Sequence, residues 1–323
     1  MIEKGEKYGY QNGYCAGFMG VWFPNHEKQT PWYRCMDEMK VAGYDGVELG
    51  PWGYFPTDAG ILKNALEARG LALVGGTVGG NFLDEESVKN VFATIDDIAA
   101  LLGQFSETKY IVLLPPMYTD LETGVDVMPR QLSDEEWNTY CKNVQRCADH
   151  VASYGLWGVF HPHVDCHVET EEEIERFLAD TTVDLCFDTG HHVYGGGEPI
   201  SFYKKHADRI PYIHLKDCDL GVKAEMDKNG WSFAKAVTEN IMVEPGKGTI
   251  DFAALYKALE ENNYDGWCVV EQILNRKSGS SALCKTATFV YHGNNYSFEA
   301  PACTIPVYFA IASSVVIRFP YVS

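Results

Sequence analysis

Two rhythms of apolar residues take turns along most of this chain. Short runs with a period of two, rich in Val, Ile, Leu and aromatics, occupy residues 45–49, 71–77, 110–114, 158–161, 183–188, 210–215 and 267–271. Alternation of that kind predicts strands. Between them apolar residues recur three and four apart, as in Trp32, Cys35, Met36 and Met39, or Val88, Val91, Phe92, Ile95, Ile98 and Leu102, and in the sets Trp137, Tyr140, Cys141, Val144, Val151 and Ile174, Phe177, Leu178. That spacing predicts one-sided helices. Their starts are marked by Thr30-Pro31, by Thr57-Asp58 ahead of Ile61, Leu62 and Leu66, and by capping boxes at Ser133 to Glu136 and Thr170 to Glu173. A short helix around 231–237 and another over 252–259 follow the same logic, and an apolar stretch at 18–23 is a candidate first strand. Strand and helix alternate about eight times, which argues an α/β protein with a parallel sheet. Reactive residues just after the strands favour a (β/α)₈ barrel over an open doubly wound sheet.

The pattern fails past residue 271. Between 277 and 323 the only acidic residue is Glu299, and no helical periodicity stands where an eighth helix belongs. The apolar run 307–317 is too short to span a membrane. The sequence therefore divides into a barrel over 1–276, its last helix atypical or missing, and a tail over 277–323 whose fold the pattern does not specify.

Composition narrows the classes of function. With 323 residues and 46% hydrophobic content the chain can bury one large core. Its 45 acidic against 26 basic residues give a net charge of −19, a field that repels nucleic acid and acidic membrane surfaces. The ten cysteines form no C-x-x-C pair and read as reduced thiols. The first residues lack the apolar core of a signal peptide, so the expected location is cytoplasmic.

The chemistry-bearing residues stand at strand ends. In 183–188, Val183, Leu185 and Phe187 alternate with Asp184, Cys186 and Asp188, after which Gly190 breaks the run into a predicted loop carrying His191 and His192. His161 and His163, His214, and Glu271 end other strands in the same way. One such residue alone is usually a helix cap or a packed histidine, but four at the same point of four strands form a constellation for a divalent cation. The expected ligands are His161, Asp188, His214 and Glu271, with His163 able to replace His161. Mixed imidazole and carboxylate ligation admits Mn²⁺, Co²⁺, Fe²⁺, Zn²⁺ or Mg²⁺; Mn²⁺ or Co²⁺ is the working choice. Lys216 lies two residues beyond His214, on the same face, where an ammonium can hold a substrate oxygen or donate a proton. Glu48 ends the second strand and is expected to accept hydrogen bonds from substrate hydroxyls. Trp22, Trp52 and Tyr54 can supply an apolar wall for a sugar ring. Gly246 and Gly248 give the loop 244–248 a faint likeness to a phosphate cradle.

Taken in order, Gly43-Tyr-Asp-Gly-Val-Glu-Leu-Gly-Pro51, Gly53-Tyr-Phe-Pro56, His161-Pro-His163, Asp188-Thr-Gly-His191, Tyr194-Gly-Gly196, His214-Leu-Lys-Asp217, Pro245-Gly-Lys-Gly-Thr-Ile-Asp-Phe252 and Gly266-Trp-Cys-Val-Val-Glu271 resemble the xylose isomerase-like TIM-barrel enzymes. That superfamily includes sugar-phosphate isomerases and epimerases, inosose dehydratases and type IV AP endonucleases; over residues 10–273 the motifs are most similar to the inosose dehydratase branch. The resemblance implies one metal ion held after strands five to eight and an enediolate mechanism on a small keto-polyol or keto-sugar. Glu271 would serve as ligand and base together, His191 as an alternative base, and His163, His191 or Lys216 as the acid. Two departures stand out: many members carry Glu where His161 stands, and the last helix is absent. The first weakens a two-glutamate epimerase mechanism, so dehydration ranks above isomerisation or epimerisation, with a catalytically silent sugar-binding barrel as a further alternative. The endonuclease reading is opposed by the charge and by Lys216-Asp217-Cys218-Asp219, which stands in place of the expected Asp-x-His pair.

Overall fold

The computed structural model describes residues 31–41, 43–106 and 108–271, together with three strands further on. Helix α1 (Trp32–Val41) leads into β1 (Gly46–Glu48), and the chain continues through α2 (Ala59–Glu67), β2 (Ala72–Gly79), α3 (Glu85–Leu102), β3 (Tyr110–Leu114), α4 (Asp134–Ala152), β4 (Trp157–Phe160), α5 (Glu171–Asp180) and β5 (Asp184–Asp188). Next come α6 (Thr189–Tyr194), α7 (Pro199–His206), β6 (Tyr212–Leu215), a two-stranded ribbon of β7 (Asp217–Cys218) and β8 (Met242–Val243) enclosing α8 (Leu220–Asn229) and α9 (Phe233–Thr238), then α10 (Phe252–Glu261) and β9 (Trp267–Val270). Strands β1 to β6 and β9 are parallel neighbours in that order. The expected TIM-barrel fold is therefore present.

The eighth position of the sheet is filled in an unexpected way. Beyond the hairpin of β10 (Thr288–His292) and β11 (Asn295–Glu299), the strand β12 (Val315–Arg318) lies between β9 and β1, antiparallel to both. Part of the segment past 276 thus closes the sheet, with its direction reversed. The candidate strand at 18–23, and Trp22 with it, lies outside the described residues.

Local signals explain the elements. Ser133 and Thr170 form complete capping boxes with Glu136 and Glu173, and Asp58 caps α2 through Ile61 N–H. The predicted loop after Asp188 is instead a helix. Asp188 is both the last residue of β5 and the N-cap of α6, and its Oδ1 accepts from His191 N–H at 2.8 Å. Between sheet and helices lies a continuous apolar layer that includes Met36, Val91, Ile98, Phe160, Phe177 and Leu255. The barrel's interior has its own apolar floor, where Tyr110 stacks on Tyr212 at 4.5 Å among Val74, Val112, Val159 and Val269. Among the described residues no helix is long and apolar enough to cross a membrane.

Candidate metal centre

Because β5 and β6 pair with Asp188 opposite His214, the two side chains reach the barrel mouth at one level. His161 follows β4 directly, its N–H bonded to Leu113 O at 3.1 Å, and Glu271 follows β9, its N–H bonded to Leu215 O at 3.0 Å. His161 Nε2 lies 3.7 Å from Asp188 Oδ2 and 3.8 Å from Glu271 Oε2, while His214 Nδ1 lies 2.9 Å from Glu271 Oε2. Each of the four offers one ligand atom, and these atoms lie within 4.8 Å of one another. Ligands about 2.1 Å from one ion stand roughly 3.0 to 3.4 Å apart, so small side-chain adjustments satisfy coordination. Two further observations agree with a cation. Asp188 Oδ2 is buried and has no hydrogen-bond partner among the described residues, although Lys216 Nζ stands 3.3 Å away. Moreover, the carboxylates Glu48, Asp188 and Glu271 outnumber the cations beside them, Lys216 and His214, the latter held well above its ordinary pKa against burial, so the cluster keeps a net negative charge that suits a cation. The His/Asp/Glu cluster thus suits a divalent metal.

Lys216 is fully enclosed, with 0% exposure. Its Nζ lies 3.0 Å from Glu271 Oε1 and donates to His191 Nε2 at 2.7 Å. Burial opposes the ammonium, yet Asp188 and Glu271 outweigh it and hold its pKa above the ordinary lysine value. Burial likewise opposes the Glu271 carboxylate, but Lys216 and His214 hold it ionised, well below the usual range. The backbone of Lys216 is pinned by Thr189, whose Oγ1 donates to Lys216 O at 2.6 Å and accepts from Lys216 N–H at 3.1 Å. Gly190 makes room beside it, since a Cβ there would sit 2.7 Å from Lys216 Cγ.

The histidines divide by role. His161 joins the cluster, whereas His163 ties Nδ1 to Val164 O at 2.9 Å and packs its ring 4.0 Å from that of His191. Burial pushes the His163 imidazole down to about 3 and that of His191 well below its usual value. Neither carries a spare proton at neutral pH, so of the three expected acids only Lys216 has one to give. His191 Nε2 is occupied by the Lys216 ammonium, which also weakens its reading as a base.

The other expectations fare differently. Glu48 is 1% exposed and sits beneath His214, not in open space. Trp52 sits in the tight turn Pro51 to Tyr54, closed by a 3.2 Å bond from Tyr54 N–H to Pro51 O with Gly53 at positive φ, and is packed in part against the core. It faces a cavity of about 410 Å³ lined by Thr57, Asp97 and Gln104. Tyr54 is buried against Phe55. A second cavity of about 430 Å³, lined by Tyr118, Asp165, Glu169, Tyr194, Lys223 and Trp231, contains none of the four clustered residues. The loop 244–248 does present a cradle of amides, but Asp217 fills it: its carboxylate accepts from Gly246, Gly248, Thr249 and Ile250 N–H at 2.8 to 3.1 Å. A Cβ on Gly248 would overlap Asp217 Oδ1. Sequence reasoning missed Cys186, whose thiol groups with His161 and His214. Its place two residues before Asp188, on the same strand face, was the available signal.

Comparison with known proteins agrees with this geometry. The sequence model of the xylose isomerase-like TIM barrel matches residues 36–283. The chain belongs to that family. Its relatives include the rhizopine catabolism protein MocC of Rhizobium meliloti, 35% identical over 75% of this chain and 74% of the relative, and an inosose dehydratase of Clostridium botulinum, 33% identical over 77% and 84%. Among solved structures, the IolI protein with a bound zinc atom superposes with a TM-score of 0.56 at 18% identity, over 77% of this chain and 86% of that one. A 3-keto-D-glucoside 4-epimerase from E. coli does so with a TM-score of 0.55 at 19% identity, over 76% and 87%. These structural likenesses speak for the fold. With its dehydratase relatives, this family member is an enzyme.

Proposed function

We propose that this enzyme dehydrates 2-keto-myo-inositol or a close keto-polyol, with one divalent ion, Mn²⁺ or Co²⁺ first, held by His161, Asp188, His214 and Glu271. The observation that carries the reading is the buried Lys216 ammonium placed 3.0 Å from the ionised Glu271, a proton donor and a proton acceptor side by side, each in the protonation state the reaction needs. When bound, the ion supplies Lewis acidity to a carbonyl and its neighbouring hydroxyl. Glu271 removes the proton α to the carbonyl. The electron pair of that C–H bond becomes the C=C bond as the β-hydroxyl departs, and the departing oxygen takes a proton from Lys216 to leave as water. Asp188 and His191 keep Lys216 aimed into the site, and the buried walls keep bulk water from intercepting the proton.

Epimerisation is the second reading. It requires another base on the opposite face of the substrate, and the imidazole of His161 stands where many family members carry Glu. Of the other carboxylates at the mouth, Asp188 caps α6 and Glu48 bonds Thr77, Tyr212 and His214. The dehydratase name of curated relatives supports the lyase.

Incubation of Mn²⁺- or Co²⁺-loaded enzyme with inosose and with a panel of ketoses in deuterated water decides between them. Diketone from inosose is expected; solvent deuterium in an inverted or relocated-carbonyl product from a ketose, without diketone, would replace the lyase by an isomerase or epimerase. Glu271→Gln should keep the fold and lose both ion affinity and turnover. Wild-type metal content and activity in that variant would remove Glu271 from the centre.

A further inference from the structure

We infer that Glu48 is a positioning residue for the metal centre, holding His214 from behind so that its Nδ1 is presented to the other ligands. The inference rests on the reading of His161, Asp188, His214 and Glu271 as a metal centre, and it goes beyond that set to the half of the barrel that contributes no ligand. His214 is held at both ring nitrogens, Nδ1 2.9 Å from Glu271 Oε2 and Nε2 3.2 Å from Glu48 Oε2. An imidazole that ligates through one nitrogen must carry its proton on the other, and a carboxylate behind that nitrogen fixes the tautomer, orients the ring and raises its donor strength. Glu48 Oε2 is the acceptor in that position.

Glu48 is in turn fixed. Tyr212 OH donates to the same Oε2 at 2.7 Å and Thr77 Oγ1 donates to Oε1 at 2.7 Å. Tyr212 and His214 are two apart on β6 and therefore share the face that looks into the barrel. One strand thus carries both the ligand and the hydroxyl that steadies the ligand's support. The carboxylate itself comes from β1 and Thr77 from β2, so the arrangement spans the barrel interior. The expectation that Glu48 meets substrate hydroxyls gives way, because Glu48 is 1% exposed and both of its oxygens already accept hydrogen bonds inside the barrel.

The test compares wild type, Glu48→Gln and Tyr212→Phe by Mn²⁺ titration against a chelating dye, by the visible spectrum of the Co²⁺ complex, by thermal melting of the metal-free proteins, and by kcat and KM at saturating Mn²⁺. Glu48→Gln should weaken Mn²⁺ binding by roughly 10- to 100-fold, alter the Co²⁺ bands and leave KM near the wild-type value once the ion is saturating. Tyr212→Phe should shift binding the same way by a smaller factor. Mn²⁺ affinity within twofold of wild type would overturn the inference: a raised KM would then return Glu48 to the substrate, and a lowered melting temperature alone would make it a purely structural group. Failure of the underlying metal reading is seen separately, as a wild-type protein that takes up no ion in the same titration.

Discussion

Two levels of the same barrel interior, one step apart along the strands, could hardly differ more in chemistry. On β5 and β6 the upper level holds Asp188 and His214; two residues earlier, about 7 Å lower, stand Cys186 and Tyr212. The lower level is a floor of Tyr110, Tyr212 and valines that buries aromatic area and leaves few polar atoms to satisfy. The upper level gathers carboxylates, imidazoles and a fully buried ammonium, groups whose desolvation works against folding. A single pleat therefore separates the part of the interior that stabilises from the part that reacts, and the β alternation that packs the floor also aims the ligands.

Apart from the Tyr212 hydroxyl, which reaches Glu48, substitutions at each level should behave oppositely. At the upper level, Lys216→Met should lower kcat by roughly 10²- to 10⁴-fold, the range for a lost general acid, while ion affinity holds or rises because Asp188 and Glu271 lose a competing cation. Unchanged kcat would place the proton donor elsewhere. Asp188→Asn keeps an oxygen to cap α6 but removes the charge, so ion affinity should drop by more than about 100-fold, beyond what supporting residues usually contribute, with little change in the melting point of the metal-free protein. A large fall in that melting point would mean that the charge, not the cap, holds α6.

At the floor, Tyr110→Ala should cost about 3 to 5 kcal/mol of stability, the scale for emptying an aromatic site in a core, with metal stoichiometry per folded molecule unchanged. Equal losses of stability and metal would show the two levels to be one cooperative unit. The smallest effect concerns a buried carboxyl that has no share in the cluster. Burial pushes Glu169 up to about 7 from an ordinary 4.5, despite a hydrogen bond from Asp165 N–H and the nearby Arg130. A raised carboxyl favours the fold below its unfolded pKa and loses that contribution as pH climbs through the folded one, so stability should fall between about pH 4.5 and 7. Glu169→Gln removes this dependence. In paired melts it should match wild type near pH 5 and exceed it near pH 8 by roughly 1 to 3 kcal/mol; a constant difference across that window would show that Glu169 is ionised throughout.

Much of this architecture is legible in the residue pattern. The third strand's limits fall where alternation puts them, and α4 and α5 begin at their capping boxes. That His161, Asp188, His214 and Glu271 come together is legible for the same reason, because each stands at or within one residue of the end of a strand and the period of two fixes the face. Other features left no such trace. Helix α8 has Met226 as its buried residue and thus no apolar stripe to find. The reversed direction of β12 cannot be read from alternation, which looks the same along a parallel and an antiparallel strand. Nor can Glu48's partner be guessed, since its 3.2 Å contact with His214 joins positions 166 residues apart. The turn that holds Trp52 depends on the left-handed backbone at Gly53, which the aromatic composition of the loop conceals.

The carboxylate of Asp217 ties four amides of a distant loop to the residue beside Lys216. Loop amides ordinarily trade their protons with water quickly, whereas amides bonded to a buried anion exchange only when that whole contact opens. Gly246, Gly248, Thr249 and Ile250 should therefore retain their protons in deuterated buffer as strand residues do, and release them together. In the clock of hydrogen exchange this stretch belongs to the core, and it would come loose with β7, which carries Asp217, rather than with the surface around it.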